Sequence, residues 1–407
     1  MLRYAVIGGG IVGAALADRL AGEGASVTLL EQDRPGRATS RWSLAWLNAA
    51  AKTPEGYHRL NADGMRAWAR LAAELAGPAW YRPVGNLEVA DAGRRDRLEA
   101  TVTRARAWGY AARLVDRDEA AGIEPALRLP DTPARDLSFA WFPEEGYLLT
   151  EPLVERLVAR ARRRGARVRT GDAGRVTGLQ RAGDAARGGQ TERAGEAGQV
   201  TGAEGPGDRI TGVRTAAGDL IPADVVVCCA GRWTPAVAAM AGIRVPIVDP
   251  EPPGSTAPGF VVRVGPVDVP PTRVLHTPGV HLRPHGPHTV HLEAGDVTAD
   301  LHTPEPVLRD LADTLLERAR LVVPSLREAR VQEYRVCVRP MPADGMPVAG
   351  AVGAVPGLYV VVTHSGVTLA ARLAELVSRE LLEDVRLPEL EPYRLERFTE
   401  ESGRAAS

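Results

Sequence analysis

Residues 2–31 read LRYAVIGGGIVGAALADRLAGEGASVTLLE, and this stretch decides the fold. Residues 2–7 have the character of a short β-strand, and residues 14–21 place apolar side chains at helical spacing. Gly22-Glu23-Gly24 breaks the helix, and residues 25–31 predict a second strand. A unit of about 30 residues has the length of a parallel β-α-β crossover.

The turn between the first strand and the helix carries the pattern Gly8-x-Gly10-x-x-Gly13. The first glycine permits the turn, the second lets a pyrophosphate approach the backbone, and the third lets the helix meet the strand. Helix N–H groups then bind the anion. Glu31, about 20 residues on, is expected to accept hydrogen bonds from ribose hydroxyls. An acid there repels a 2′-phosphate, which favours FAD or NAD over NADP.

The bulk properties are those of an ordinary globular protein. The chain has 407 residues, enough for two domains, and 50 basic against 51 acidic residues give a net charge of −1. This balance favours neither nucleic acid nor a membrane as a partner. Three cysteines give no disulfide framework. No signal sequence or apolar stretch of near 18 residues is evident, so a cytoplasmic location is the default expectation.

Periodicity predicts further elements along the chain. Helices are expected over residues 57–75, 94–108 and 151–164, and strands over 167–176, 210–213 and 224–229. Residues 259–264 together with 280–292 indicate a second, more antiparallel region. Residues 179–208 are poor in apolar side chains and predict a flexible surface loop at the tip of a hairpin.

Five segments resemble one family in order and spacing. They are PGRATSRWS (35–43), EGYL (145–148), DVVVCCAGRWT (224–234), RPMPADGMPVAG (339–350) and GLYVVVTHSGVT (357–368). The chain thereby resembles the FAD-dependent oxidoreductases of the D-amino-acid oxidase superfamily, which includes glycine oxidase and sarcosine oxidase. The resemblance favours FAD over NAD.

This resemblance implies an α/β plus α+β fold, with a discontinuous Rossmann-like FAD-binding domain and an antiparallel-sheet substrate domain. The FAD-binding domain is expected over residues 1–85, 145–240 and 340–407, with a low-complexity loop at 180–208. The substrate domain is expected over residues 86–144 and 241–339.

The resemblance also implies which residues hold the cofactor. The last segment ends a strand at Thr363 and is expected to start a long helix near Thr368, whose positive end would stabilise negative charge on the flavin. The full set of expected FAD-binding residues is Gly8, Gly10, Ile11, Val12, Gly13, Glu31, Gln32, Arg37, Thr39, Ser40, Ser43, Val176, Ala230, Gly231, Trp233, Arg339, His364, Ser365, Gly366, Val367 and Thr368.

The same comparison suggests catalytic and substrate-binding residues. Arg339 matches the superfamily arginine that binds a substrate carboxylate, for which a guanidinium fork is suited. Arg283, Trp46 and Asn48 are further candidates for substrate binding, and Trp42 is a second tryptophan near the flavin loop. His364 is expected beside the flavin.

Lys52 is the one lysine among 50 basic residues. Unlike arginine, lysine can lose its proton, and it can act as a compact charge near reduced flavin, where dioxygen reacts in some relatives. A catalytic Lys52 and a surface residue retained by chance are both open.

Two further features leave alternatives open. Cys337 resembles the cysteine that carries covalent FAD in sarcosine oxidases, although noncovalent FAD is favoured. Six histidines between His276 and His302 have strand spacing, and no metal site is expected from them.

The function implied is oxidation of a small amine or amino acid, such as a D-amino acid, glycine or an N-methyl amino acid. Hydride passes from the carbon next to a neutral amine to flavin N5, water hydrolyses the imine, and electrons pass to O2. One alternative is a dehydrogenase that passes electrons to a quinone or carrier. Others are a flavin-binding subunit without turnover and an NAD-linked dehydrogenase. The substrate side chain and the oligomeric state remain open.

Overall fold

The computed structural model describes residues 1–75, 79–128, 136–184 and 209–398. Within these ranges, no helix combines the length and the apolar character needed to cross a membrane.

Twenty strands lie in the described ranges: β1 (Arg3–Ile7), β2 (Ser26–Glu31), β3 (Trp46–Leu47), β4 (Tyr81–Arg82), β5 (Asn86–Asp91), β6 (Arg113–Val115), β7 (Leu137–Phe142), β8 (Gly146–Leu148), β9 (Arg167–Thr170), β10 (Val176–Arg181), β11 (Ile210–Thr215), β12 (Leu220–Pro222), β13 (Val225–Cys228), β14 (Pro258–Gly265), β15 (Val274–His276), β16 (His281–Pro284), β17 (Val290–Glu293), β18 (Arg330–Val338), β19 (Val348–Ala351) and β20 (Leu358–Val362).

Eight α-helices lie in the same ranges: α1 (Ile11–Gly22), α2 (Glu55–Glu74), α3 (Arg95–Ala107), α4 (Arg117–Ile123), α5 (Thr150–Arg163), α6 (Thr234–Ala239), α7 (Glu305–Val322) and α8 (Gly366–Glu383).

A six-stranded sheet runs in the order β19-β20-β13-β1-β2-β9 and is parallel except where β19 joins β20. Its central strands β13 and β20 are almost entirely apolar because both faces of the sheet are covered. Helices α1, α5 and α8 pack on one face, and the three-stranded sheet β10-β11-β12 covers the other. The β-α-β unit predicted from the opening stretch is confirmed, since β1 and β2 are parallel neighbours in this sheet.

A second, eight-stranded sheet has the order β18-β14-β17-β16-β15-β5-β7-β6. Helix α7 packs on it through Ala312, Leu315, Leu316 and Ala319. Its strand pairs are antiparallel except for β15 beside β5, which is parallel, so the expected antiparallel sheet is mixed. A third small sheet, β3-β8-β4, joins the loop after β2 to residues 146–148.

The predicted helices agree with α2, α3 and α5 to within two residues at either end. One strand prediction is wrong in extent. Residues 167–176 form β9 and the start of β10, which belong to different sheets, because the chain turns at Gly171 with φ +62°. Residues 280–292 contain β16 and β17, which pair as an antiparallel hairpin.

The flanks of the predicted surface loop pair antiparallel, with Arg181 opposite Ile210, as a hairpin requires. Residues 185–208 of that loop lie outside the described residues.

The domain boundaries remain a proposal, which strand membership supports. All strands of the eight-stranded sheet come from residues 86–142 and 258–338, and all strands of the six-stranded sheet come from outside those ranges.

Candidate active site

A cavity of about 480 Å³ opens at the carboxyl ends of β1, β2, β13 and β20 and extends to the eight-stranded sheet. The carboxyl ends of parallel strands are where ligands bind in open α/β sheets. The residues around this cavity come from both large sheets, so the fold brings distant parts of the chain to one site.

The glycine turn after β1 is too tight for side chains. Gly8 has φ +103°, and a Cβ there would lie 2.4 Å from the Cys229 carbonyl oxygen. A Cβ on Gly13 would lie 1.9 Å from the Gly8 carbonyl oxygen. Gly10 precedes α1 and has no side chain to cap the helix, and the Ser40 hydroxyl accepts from the Ile11 N–H at 3.0 Å. The N-terminus of α1 therefore meets β1 closely and turns bare backbone toward the cavity.

Glu31 ends β2 and lines the cavity together with Gln32. Its carboxylate accepts hydrogen bonds from the Gly9 N–H at 2.7 Å and the Asp33 N–H at 2.9 Å. Burial raises the pKa of Glu31, and these backbone N–H groups oppose that shift. The carboxylate is thus held beside the glycine turn, at the place where an adenosine ribose was expected.

Nineteen of the expected FAD-binding residues line the cavity: Gly8, Gly10, Ile11, Val12, Glu31, Gln32, Thr39, Ser40, Ser43, Val176, Ala230, Gly231, Trp233, Arg339, His364, Ser365, Gly366, Val367 and Thr368. Gly13 lies behind them in the helix packing. Arg37 does not reach the cavity. It is exposed and forms an ion pair with Asp33 at 3.1 Å, so its expected contact with the cofactor is corrected.

Helix α8 begins at Gly366, two residues earlier than predicted, with Ser365 preceding it. No side chain caps this end and no acidic residue lies in the first turn, so its positive dipole remains available to a ligand. The Thr368 hydroxyl lies 3.4 Å from the Asn48 N–H and 3.3 Å from the Trp46 carbonyl oxygen. These contacts hold the loop after β3 against the start of α8.

Lys52 points into the cavity from that loop. Its ammonium donates to the Ser365 hydroxyl at 3.2 Å and lies 5.9 Å from the centre of the Tyr57 ring. Burial lowers the pKa of Lys52 to about 8, although Glu145 opposes the shift. The neighbouring His364 has its pKa lowered to about 4 by burial and by Lys52 and Arg339. At neutral pH the site therefore pairs a charged lysine with a neutral imidazole.

Glu145 organises this loop, a role that the sequence argument missed. Its buried carboxylate accepts from the Ala49 and Ala50 N–H groups, both at 3.2 Å, and from the Trp46 indole at 2.9 Å. Asn86 donates to it at 3.1 Å. Burial raises the pKa of Glu145 to about 7. The signal available in the sequence was its place at the start of the matching segment EGYL (145–148), which gave no role for the carboxylate.

Arg339 follows β18 and lines the cavity next to Cys337. Its guanidinium donates to the backbone carbonyls of Thr256, Ala257 and Pro258. These contacts fix the side chain at the edge of the eight-stranded sheet. Burial raises the pKa of the Cys337 thiol to about 12.

Arg283 is corrected as a substrate-binding residue. Its side chain is 1% exposed, and its guanidinium donates to the carbonyls of Ser43, Leu44 and Pro284 rather than lining the cavity. The arginine supports the loop that contains Trp42 from behind, because backbone carbonyls occupy its donors.

The remaining substrate-binding candidates lie in the cavity wall. Trp46 and Asn48 both line it, and the Asn48 amide oxygen is buried without a hydrogen-bond partner in the described part of the chain. Trp42 also lines the cavity, and the guanidinium groups of Arg41, Arg263 and Arg335 lie 5.4–5.8 Å from its ring centre.

The histidines of the second sheet form ring contacts. His276 lies 4.5 Å from His281, ring centre to ring centre, and its Nδ1 lies 2.8 Å from the Asn86 amide oxygen. His285 stacks on His291 at 4.0 Å. Of these four, only His281 lines the cavity.

Comparison with known proteins identifies the family. The model of the DAO family, described as FAD dependent oxidoreductase, matches residues 3–380. This chain belongs to the DAO family. It is an FAD-dependent oxidoreductase with a mixed α/β fold, and FAD is its cofactor.

Individual relatives are distant but match the whole chain. The uncharacterized oxidoreductase YurR of Bacillus subtilis (strain 168) is 26% identical over 410 residues, covering 93% of this chain and 95% of the relative. L-proline dehydrogenase from P. horikoshii superposes with a TM-score of 0.76 at 20% identity, covering 98% of each chain. Glycine oxidase from Geobacillus kaustophilus gives 0.76 at 21% identity, with 97% and 99% covered. At these identities the structural likeness shows the fold alone.

The cavity of this DAO-family chain fits FAD in its own chemistry. The side-chain-free turn at Gly8, the start of α1 and the Ser40 hydroxyl beside it suit a pyrophosphate, and Glu31 suits ribose hydroxyls. The start of α8 and the unpartnered Asn48 amide oxygen offer polar groups at the other end.

Proposed function

We propose that this chain oxidises a small amine or amino acid, a D-amino acid, glycine or an N-methyl amino acid, and passes the electrons to O2. Bound FAD supplies the hydride acceptor at its N5 atom, and the imine product is hydrolysed by water. The observation that carries the proposal is that Arg339, Lys52 and His364 line the same cavity as the nucleotide-binding turn. A substrate between them would have polar groups on several sides.

Arg339 is proposed to bind the substrate carboxylate. A guanidinium offers two parallel N–H donors to a carboxylate, and the backbone carbonyls of residues 256–258 already restrict the side chain. Trp46 and Asn48 are proposed to line the substrate pocket on the opposite side, on the loop that Glu145 holds.

The charge and the position of Lys52 favour O2 as the electron acceptor. Its ammonium is compact and charged at neutral pH, and it lies at the start of α8, where positive charge already accumulates. Negative charge that develops on dioxygen would be stabilised there. A dehydrogenase that uses a quinone or carrier has no need of this charge, and it remains the alternative.

The experiment is an aerobic assay of hydrogen peroxide release with glycine, sarcosine, cyclic amines and D-amino acids, and 2-oxo acid is measured in addition for glycine and the D-amino acids. The wild type is compared with Arg339→Lys, which keeps the charge but loses the guanidinium fork, and with Arg330→Lys on the same strand, an exposed residue outside the cavity. We expect Arg339→Lys to raise KM about tenfold or more and Arg330→Lys to leave it unchanged.

Equal KM values in the wild type and Arg339→Lys would contradict the carboxylate role of Arg339. Oxo-acid formation that requires an added dye and yields no peroxide would favour the dehydrogenase.

A further inference from the structure

The eight-stranded sheet has two chemically different faces. Leu87, Leu275, Leu282 and Leu292 lie in register on neighbouring strands, each 0% exposed, and form one core with α7. On the other side, His281 and Glu293 lie directly opposite each other on β16 and β17, and both line the cavity. The polar face of the sheet is therefore a wall of the active site.

Glu293 differs from the other cavity-lining carboxylate of the described residues. Glu31 accepts two backbone hydrogen bonds at the nucleotide end. In the described part of the chain, no hydrogen bond or ion pair engages the Glu293 carboxylate, although the side chain is half-buried. A carboxylate removed from bulk water without a partner is costly, and a cationic ligand offsets that cost.

The carboxylate of Glu293 interacts electrostatically with the guanidinium of Arg339. Burial raises the pKa of Glu293, and the positive charges of Arg339 and Arg283 oppose the shift. Glu293 in turn raises the pKa of Cys337, which lies on β18 two residues before Arg339. Arg339 and Glu293 thus lie within electrostatic reach of each other, yet no ion pair of 4 Å or less joins them within the described residues, since Arg339 donates to backbone carbonyls.

We propose that Glu293 binds the ammonium group of an amino acid whose carboxylate is bound by Arg339. The site then takes zwitterions, primary or N-alkylated amino acids, and discriminates against carboxylates without a cationic group. The bound ammonium releases one proton to water before hydride leaves the carbon next to the resulting neutral amine. This inference rests on the proposed function and names its substrate class. Adjacent fixed charges of opposite sign match the two charged ends of an amino acid and oppose binding of a single charge.

Two ligands of equal shape test the charge requirement. Glycine betaine and 3,3-dimethylbutanoate differ only in a quaternary nitrogen against a quaternary carbon, and neither has a hydrogen on that atom to lose. Binding of each to the FAD-loaded protein is measured by calorimetry for the wild type, Glu293→Gln and Glu293→Asp. Glu88→Gln is the matched control, because Glu88 is half-buried on a strand of the same sheet but does not line the cavity.

We expect the wild type and Glu88→Gln to bind glycine betaine about tenfold more tightly than 3,3-dimethylbutanoate. Glu293→Gln should lose this preference and Glu293→Asp should retain part of it. No preference in the wild type, failure to bind either ligand, or a preference that survives in Glu293→Gln overturns the inference. Flavin reduction by amino acids, measured in parallel, separates the outcomes: if it occurs without a betaine preference, the proposed function stands and only the role of Glu293 is wrong.

Discussion

At the scale of a residue, Lys52 shows how the folded surroundings change the chemistry of a side chain. The sequence offered only its isolation among 49 arginines. The structure adds an ammonium 3.2 Å from the Ser365 hydroxyl and a pKa lowered to about 8 by burial. Its charge is therefore lost as pH rises through about 8, far below the usual range of lysine.

If Lys52 promotes reaction with O2, the rate constant of flavin reoxidation should fall as pH rises through about 8. His364 does not interfere, because its pKa of about 4 leaves it neutral across this range. Lys52→Arg should remove the pH dependence, since arginine keeps its charge, and Lys52→Met should be about tenfold slower at pH 7. Stopped-flow reoxidation from pH 6 to 10 measures this. Identical pH profiles in the wild type and Lys52→Arg would refute the role.

Arg339 and Arg283 show that the sequence alone does not determine which arginine side chain reaches the cavity. Both are arginines beside prolines near strand ends, and both were candidates for a substrate carboxylate. Both donate to backbone carbonyls, but only the folded chain shows that Arg283 is 1% exposed and lies outside the cavity lining, whereas Arg339 lines the cavity. The Arg283 guanidinium binds the carbonyls of residues 43–44, about 240 positions away in the chain. Local sequence does not predict such contacts.

At the scale of elements, the contact between β1 and α1 depends on Gly13. A Cβ there would lie 1.9 Å from the Gly8 carbonyl oxygen, so Gly13→Ala must displace the turn that we propose binds the pyrophosphate. We expect purified Gly13→Ala to contain little flavin, measured as absorbance at 450 nm relative to 280 nm. Gly56→Ala, where a Cβ would meet nothing within 4 Å, is the control and should retain flavin. Full flavin content in Gly13→Ala would contradict the close-packed turn.

The loop from Trp46 to Lys52 depends in the same way on Glu145, at the start of β8. Its pKa is raised from 4.5 to about 7, so between these values the folded state binds more protons than the unfolded state. Stability should therefore fall as pH rises from about 4.5 to 7, by up to about 3 kcal/mol from this group. Glu145→Gln should flatten that dependence in urea unfolding, and the exposed neighbour Glu144 gives the control Glu144→Gln. An unchanged slope in Glu145→Gln would exclude Glu145 as its source.

Local sequence patterns predicted the helices and strands whose formation depends on residues close together in the chain. The β-α-β unit at residues 2–31 and the helices α2, α3 and α5 follow from periodicity and glycine breaks. Local sequence patterns could not predict which strands far apart in the chain pair with each other. Nothing local distinguishes β9 from β10 except Gly171, and the parallel contact of β15 with β5 joins segments about 190 residues apart.

At the scale of the whole molecule, the family resemblance supplied what local pattern could not. It placed the cofactor between Gly8 and Thr368, and both line one cavity. It included Glu145 in a matching segment but gave it no role, and it did not include Glu293 at all. The hydrogen bonds of buried Glu145 and the unpartnered carboxylate of Glu293 become evident only in the folded chain.

Cys337 is relevant to whether the protein binds FAD covalently or noncovalently. Its thiol pKa is raised to about 12, so it is protonated at neutral pH and a poor nucleophile. We expect noncovalent FAD: acid precipitation should leave the yellow colour in the supernatant, and Cys337→Ser should keep its flavin. Fluorescent flavin migrating with the denatured chain on a gel would contradict this expectation.

The most direct test of the amine-oxidising function is anaerobic titration of the FAD-loaded protein with amino acids while the absorbance near 450 nm is recorded. The proposed function predicts that at least one of glycine, sarcosine, proline or the D-amino acids bleaches this band in a single turnover, and that the isolated carboxylate 3,3-dimethylbutanoate does not. A flavin band that stays unchanged with every amino acid and amine offered would contradict it.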